Sequence, residues 1–482
     1  MENSFEHLPK KDRKKILLIT DDLRVHSGVA TVAREIVVNT AHHFNWCQMA
    51  GSIKHPDKGK RLDLSDDTNK NLGIDDSHVM LYPVDGYGNA DILREIIKLE
   101  NPDAILLVTD PRYFEWLFAI ENEIRKEIPI SYLNIWDEYP APLYNKAYYE
   151  ACDLLMGISK QTTNINKLVL GDKANDRVIR YVPHGLNTDL FFPIDDTYPK
   201  LNEFKDFRKK LFKNQQFDFV AFFNSRNIRR KQIPDTLLAF RYFLDKLDPE
   251  QAKKCALVLH TDTRVSDHGT DLNAVVELIL NDYKDNIIFT DQKFGAEQMN
   301  WLYNCADVQV LLSSAEGWGL ALTEALLTAT PIIANVTGGM QDQMRFVDND
   351  GKWFTPDDKI PSNNRGTYKE HGEWAYPVFP TNHSIQGSPK TPYIWDTRCR
   401  PEDAAEQIMN AYMDGINIRV EKGLKGLEWA TSEEAGFTMT HQANRVMEAF
   451  NELFNTWTPR SNFEFINTNQ VEEKVIKHKL IY

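Results

Sequence analysis

Between Asp307 and Ala334 the chain changes its local pattern at every turn. DVQVLL (Asp307 to Leu312) is a continuous apolar run of strand length, and Glu316-Gly317-Trp318-Gly319 breaks it with glycine on either side of an aromatic. Leu320 to Thr328 is rich in Ala and Leu and reads as a helix, and Pro331-Ile332-Ile333-Ala334 opens the next strand. Strand, glycine-bearing loop, helix, strand is the unit from which parallel α/β sheets are built, so few other folds are open to this chain. A helix that begins at such a loop presents unpaired N–H groups and the positive end of its dipole, a setting that suits phosphate. Gly317 and Gly319 let the backbone come close to a ligand where a side chain would block it. Two carboxylates bracket the turn: Glu316 in the loop and Glu324 in the second turn of the helix. Carboxylates so placed accept paired hydroxyl hydrogen bonds, as acidic residues do for ribose.

The same alternation recurs along the chain. Apolar runs of strand length stand at Ile16 to Thr20, Ala104 to Thr109, Ile130 to Ile135, Leu154 to Ile158, Phe217 to Asn224, Cys255 to Thr261 and Ile287 to Thr290, with charged or helical stretches between. The expectation is α/β, with mostly parallel sheets covered on both faces. A length of 482 residues exceeds one ordinary core and points to two domains. Ligands of such sheets gather beyond the carboxyl ends of the strands. Gly28, at the first strand-to-helix turn, is one candidate for close approach, with Arg24 and His26 beside it. WDEYPAP, from Trp136, places Asp137 and Glu138 at another strand end. SRNIRRK supplies Arg226, Arg229, Arg230 and Lys231 at a third, where guanidinium forks and a mobile ammonium suit a diphosphate. Gly351 to Arg400 has little periodicity; its Trp353, Trp374, Tyr376, Tyr393 and Trp395 form either a stacking platform or a local core.

Bulk properties exclude several classes. A net charge of −14 argues against a non-specific nucleic-acid binder. The five cysteines show no C-x-x-C spacing and read as reduced. No apolar run reaches membrane-spanning length, and MENSFEHLPKKDRKK lacks the apolar segment of a secretory signal, so a cytoplasmic location is expected. No D-x-D pair stands out at a strand end.

Glu316, Gly317, Trp318, Gly319, Glu324, Thr330 and Pro331 together resemble the E-x7-E signature of retaining GT-B glycosyltransferases of the fourth glycosyltransferase family, within the glycosyl transferases group 1 and glycogen-synthase-like superfamily. The resemblance implies two Rossmann-like domains facing across a cleft. Residues 1–195, joined by a C-terminal helix at about 440–482, would bind the acceptor. Residues 196–439, with an atypical insertion at 351–400, would bind the donor. Arg226 and Lys231 match the family's two donor-phosphate cations, and Gly28 its diphosphate-facing glycine. Glu316 would hold the sugar, Glu324 the ribose, and Gly317, Trp318, Gly319 and Leu320 the rest of the donor. VIRYVPHGLNTDLFFPI resembles the family's interdomain hinge, with His184 in place of the usual Asn. Where relatives carry a histidine at the catalytic face this chain has Asp137 and Glu138, which makes Asp137 a catalytic candidate. The implied reaction moves a sugar from a nucleotide-diphosphate sugar, a UDP- or GDP-sugar first, to a hydroxyl, with retention and with no metal or other cofactor. The acceptor is left open among a glycan, a lipid-linked sugar, a small metabolite and a hydroxylated base in DNA. The short basic stretch Lys10 to Lys15 has no amphipathic partner and favours a soluble one. A phosphorylase-like enzyme, a sugar-phosphate synthase and a non-catalytic nucleotide-sugar binding protein are the alternatives; the intact Arg226, Lys231, Glu316 and Glu324 set speaks against the last.

Overall fold

In the computed structural model, which describes residues 6–25, 27–52, 56–265 and 268–460, the apolar runs become two separate sheets. His26 and the end of the C-terminal segment, 461–482, lie outside the described residues. The first sheet contains β1 (Lys14–Asp21), β2 (Phe44–Gly51), β3 (Leu62–Asp63), β4 (Val79–Pro83), β5 (Ala104–Val108), β6 (Ile130–Asn134), β7 (Leu154–Gly157) and β8 (Val178–Tyr181), in the order β3-β4-β2-β1-β5-β6-β7-β8. Only the short β3 runs antiparallel to its neighbour. The second sheet contains β9 (Phe219–Asn224), β10 (Cys255–His260), β11 (Ile287–Thr290), β12 (Val308–Leu311), β13 (Ile332–Asn335) and β14 (Ala375–Val378), all parallel, in the order β11-β10-β9-β12-β13-β14. These are two Rossmann-like α/β units, as the sequence led one to expect.

Why the central strands read as unbroken apolar runs is visible in their side-chain alternation. Leu17 and Ile19 of β1, with Ile105 and Leu107 of β5, enter the core on one face of the sheet. Ile16 and Leu18, with Ala104 and Leu106, enter the other core, which continues into the second domain. Several strands were not foreseen, β2 and β4 among them. β2 (FNWCQMAG) is fully buried yet carries Asn45 and Gln48, and those polar residues hid it in the sequence. Their amide N–H groups find backbone partners: Gln48 Nε2 donates to Asp21 O at 2.7 Å and Asn45 Nδ2 to Lys10 O at 2.8 Å.

The 351–400 segment is more regular than its sequence suggests. β14 lies within it and completes the second sheet. Trp353 and Trp374 pack on Trp429, with ring centroids 5.3 and 4.9 Å away, and form a local core. The remainder is a separate antiparallel hairpin, β15 (Asn382–Ser388) and β16 (Thr391–Arg398), which pairs with neither sheet.

The chain crosses between the domains in two places that lie side by side. After β8 it passes through Pro183 to Pro193 into the second domain. Beyond Phe437 it returns as the Met439–Thr456 helix, whose Phe450 packs 5.7 Å from Phe44 of β2. The two crossings bond to each other: Leu186 N donates to Phe437 O (3.1 Å) and Met439 N to Leu186 O (2.9 Å).

Candidate active site at the domain boundary

The carboxyl ends of β1 and β6 in the first sheet and of β9, β12 and β13 in the second point at one another. A methyl group on Gly28, at the start of the Gly28–Thr40 helix, would lie 4.0 Å from Leu320 Cδ1, at the start of the Leu320–Leu327 helix. The second helix has no side-chain cap, so its first N–H groups stay available. The domains touch backbone to backbone here. A Cβ on Gly317 would sit 2.8 Å from Ile135 O, and one on Gly338 3.2 Å from Asp137 O across the boundary and only 1.8 Å from Glu316 O within its own domain. Only glycine fits either place.

Glu316 is the centre of the arrangement. It is buried, forms an ion pair with the equally buried Lys231, and receives Arg230 Nη1 at 3.2 Å. Arg230 Nη1 also donates to Ala315 O at 2.6 Å. Burial opposes ionisation of Glu316, but the charges of Lys231 and Arg230 outweigh it and hold the carboxyl at about 2. Burial draws the Lys231 ammonium below its usual range despite the opposing pull of Glu316. Asp137 faces this cluster from the first domain. Burial raises its carboxyl, Arg230 counters that, and Glu316 adds to it. The charged groups of the site therefore come from both domains.

Glu324 stands apart from that cluster, one and a half turns along its helix. Tyr303 donates its hydroxyl to Glu324 Oε2, and Asn224 Nδ2 reaches the same oxygen at 3.3 Å and the Tyr303 hydroxyl at 3.0 Å. Burial raises the Glu324 carboxyl while both hydrogen bonds hold it down.

The sequence candidates are not all brought together. Lys231, Glu316 and Asp137 converge. Arg226 is exposed; its charge is felt at Lys231 but it makes no ion pair among the described residues. Arg230, from the same cation run, is the guanidinium that lies beside Glu316. Trp318 turns its indole into the core, donating to Thr323 Oγ1 (2.9 Å) and lying 4.8 Å from Phe437, so only its backbone borders the loop. His184 is likewise internal, with Nδ1 3.5 Å from Gln442 Nε2, and burial lowers it to about 4, which keeps it neutral.

Glu138, which the sequence marked only as a neighbour of Asp137, has a place of its own. It is completely buried, accepts from Tyr139 N (2.9 Å) and Gln161 Nε2 (3.2 Å), and takes the hydroxyl of Thr337 from the other domain. Burial raises it to about 7. Phe289 to Phe294 borders a cavity of about 910 Å³ between the Leu201–Leu211 helix and β11. Within it Phe294 stacks on His260, which bonds Thr290 Oγ1 at 2.9 Å. Among the described residues no group of three or more His, Cys, Asp or Glu is placed to hold a metal ion. Among the same residues no helix is long and apolar enough to cross a membrane.

Known proteins agree with this geometry. Residues 203–359 match the family model described as Glycosyl transferases group 1, so the second domain carries a domain of that kind. The whole chain is similar in structure to a glycosyltransferase from Rickettsia africae ESF-5, with a TM-score of 0.62 at 14% identity, covering 92% of this chain and 99% of that one. It is also similar to Anabaena HepE in complex with UDP and glucose (TM-score 0.60, 13% identity, 91% and 100% covered). A sucrose-phosphate synthase from Thermosynechococcus elongatus is a third such neighbour (TM-score 0.62, 17% identity, 92% and 100% covered). The fold is thus GT-B. No curated protein matches the chain in sequence.

Proposed function

We propose that this chain is a glycosyltransferase that moves a sugar from a nucleotide-diphosphate sugar, UDP-linked, to a hydroxyl acceptor. The observation that carries the reading is the buried Glu316, Lys231 and Arg230 cluster beside the uncapped start of the Leu320–Leu327 helix. Cations and helix N–H groups there offset the charge that grows on a leaving diphosphate. Glu316, kept ionised, accepts hydrogen bonds from sugar hydroxyls, and Glu324, framed by Tyr303 and Asn224, accepts those of the ribose. UDP and glucose bound to HepE, a neighbour of the same fold, support a UDP-sugar as donor.

We take the transfer to proceed with retention, on the resemblance to retaining glycosyltransferases. The acceptor oxygen bonds to the anomeric carbon on the face from which the diphosphate leaves. The electron pair of the broken C–O bond stays with the phosphate, whose oxygen takes the acceptor proton. Asp137, facing Arg230 and Glu316 from the first domain, orients the acceptor hydroxyl. Lys231 and Arg230 serve where a divalent ion would otherwise be needed, so the reaction runs without metal. All five cysteines are unpaired and buried, which fits a reducing cytoplasm.

The test is thermal denaturation with UDP, GDP, ADP, CDP and UDP-glucose, on wild type and Glu324→Ala. Ligand at a hundred times its Kd stabilises the folded state by about 2.7 kcal/mol, a shift of several degrees. UDP should give it and Glu324→Ala should lose it. A wild-type protein unmoved by UDP and UDP-glucose would overturn the donor assignment.

A further inference from the structure

The β15–β16 hairpin belongs to neither sheet, yet both domains hold it. Its second strand binds beside each of the site's charged residues in turn. Trp395 N donates to Tyr139 O at 2.8 Å, two residues beyond Asp137. Thr397 N donates to Ser314 O at 3.0 Å, two residues before Glu316, and Asn335 Nδ2 donates to Thr397 O at 2.7 Å. Arg398 donates to Gln232, which follows Lys231, and lies 3.4 Å from Asp235.

The far end is moored to the first domain alone. The Tyr393 hydroxyl accepts from Leu143 N (3.2 Å) and donates to Ala141 O (3.3 Å), and the Tyr144 hydroxyl donates to Tyr393 O (2.9 Å). Arg112 donates to Lys390 O and to the Thr391 hydroxyl. β15, by contrast, pairs only with β16 and is largely exposed. The hairpin is one layer thick, with one strand against the site and the other in solvent.

We propose that this hairpin makes the enzyme choose its acceptor over water: it roofs the place where Asp137, Glu316 and Lys231 meet and keeps solvent from the anomeric carbon of a bound donor. The proposal rests on the donor reading above. Without the roof, water takes the acceptor's place. Its oxygen bonds to the anomeric carbon, the bond to the diphosphate breaks with the electron pair leaving on phosphate, and the products are free sugar, UDP and one proton. Exclusion of water by a covering segment is a common way of preventing this side reaction.

Two variants separate roofing from folding. Arg112→Ala with Tyr144→Phe and Tyr393→Ala cuts the far moorings and leaves every group of the charged cluster in place. A second variant replaces 385–395 by Asn-Gly, which closes the paired Ser384 and Asp396 with a two-residue turn. UDP affinity is read by calorimetry, and UDP and free glucose released from UDP-glucose without acceptor are counted. Both variants should keep UDP affinity within about threefold and raise hydrolysis by roughly tenfold or more. A variant that binds UDP as wild type does and hydrolyses no faster overturns the proposal. Failure of the donor reading shows differently, as a wild-type protein that does not bind UDP at all.

Discussion

Replacing Lys231 with methionine keeps an unbranched side chain one atom shorter and removes its charge, leaving Glu316 buried with Arg230 as its nearest cation. Glu316 is held at about 2 where an ordinary glutamate titrates near 4.5, so its charged form carries roughly 3 kcal/mol of favourable interaction. The sign is that of a depressed carboxyl: the stabilisation is present above pH 4.5 and is lost as pH falls towards 2. Lys231→Met should therefore cost about 2–3 kcal/mol at pH 7.5, Arg230 retaining part of the pairing. For a domain of this size that lowers Tm by roughly 5–10 °C. At pH 4 the carboxyl of the variant takes up a proton and the difference from wild type shrinks. Adding Glu316→Gln should recover most of the loss at pH 7.5, because a neutral pair leaves no buried charge unpaired. Thermal and urea denaturation of the two variants at both pH values provide the assay. A loss that is equal at pH 4 and pH 7.5, or a double variant no more stable than the single one, would refute the reasoning.

Two further outcomes are expected. Glu138, raised to about 7 by burial, holds its proton in the folded protein between pH 4.5 and 7 while the unfolded chain has lost it, so stability falls as pH rises through that window. Glu138→Gln should flatten this slope in denaturation curves from pH 4.5 to 8; an unchanged slope counts against the burial argument. Transfer from UDP-glucose should proceed unchanged in EDTA, and an activity abolished by EDTA and restored by magnesium or manganese would contradict the role given to Lys231 and Arg230.

Strands β9 to β13 of the second sheet were legible because they are plain apolar runs, and the Glu316 loop because two glycines and a helix-forming run follow one of them; β14, inside the irregular 351–400 segment, was not. β2 was not, since buried Asn45 and Gln48 read as surface residues until their backbone partners are known. Spacing picked out Arg226 and Lys231, but a cation run does not reveal which guanidinium turns inward, and here it is that of Arg230. Glu138 shows a different limit. Its partner Thr337 lies 199 residues away in the other domain, and nothing local distinguishes the pair from a turn residue and a surface threonine. Trp318 and His184 sit at motif positions, yet packing against Phe437 and beside Gln442 makes them part of the framework.

The returning Met439–Thr456 helix means that the first domain is not a contiguous stretch of chain. A fragment ending near residue 195 would contain the whole eight-stranded sheet but lack the helix whose Phe450 and Phe454 cover Phe44, leaving that aromatic face bare. The doubled crossing also restricts how the halves can part. Two adjacent peptide segments, bonded to each other at Leu186, Phe437 and Met439, tie the halves at one edge, so any parting of Asp137 from Glu316 is expected to be a swing about that edge.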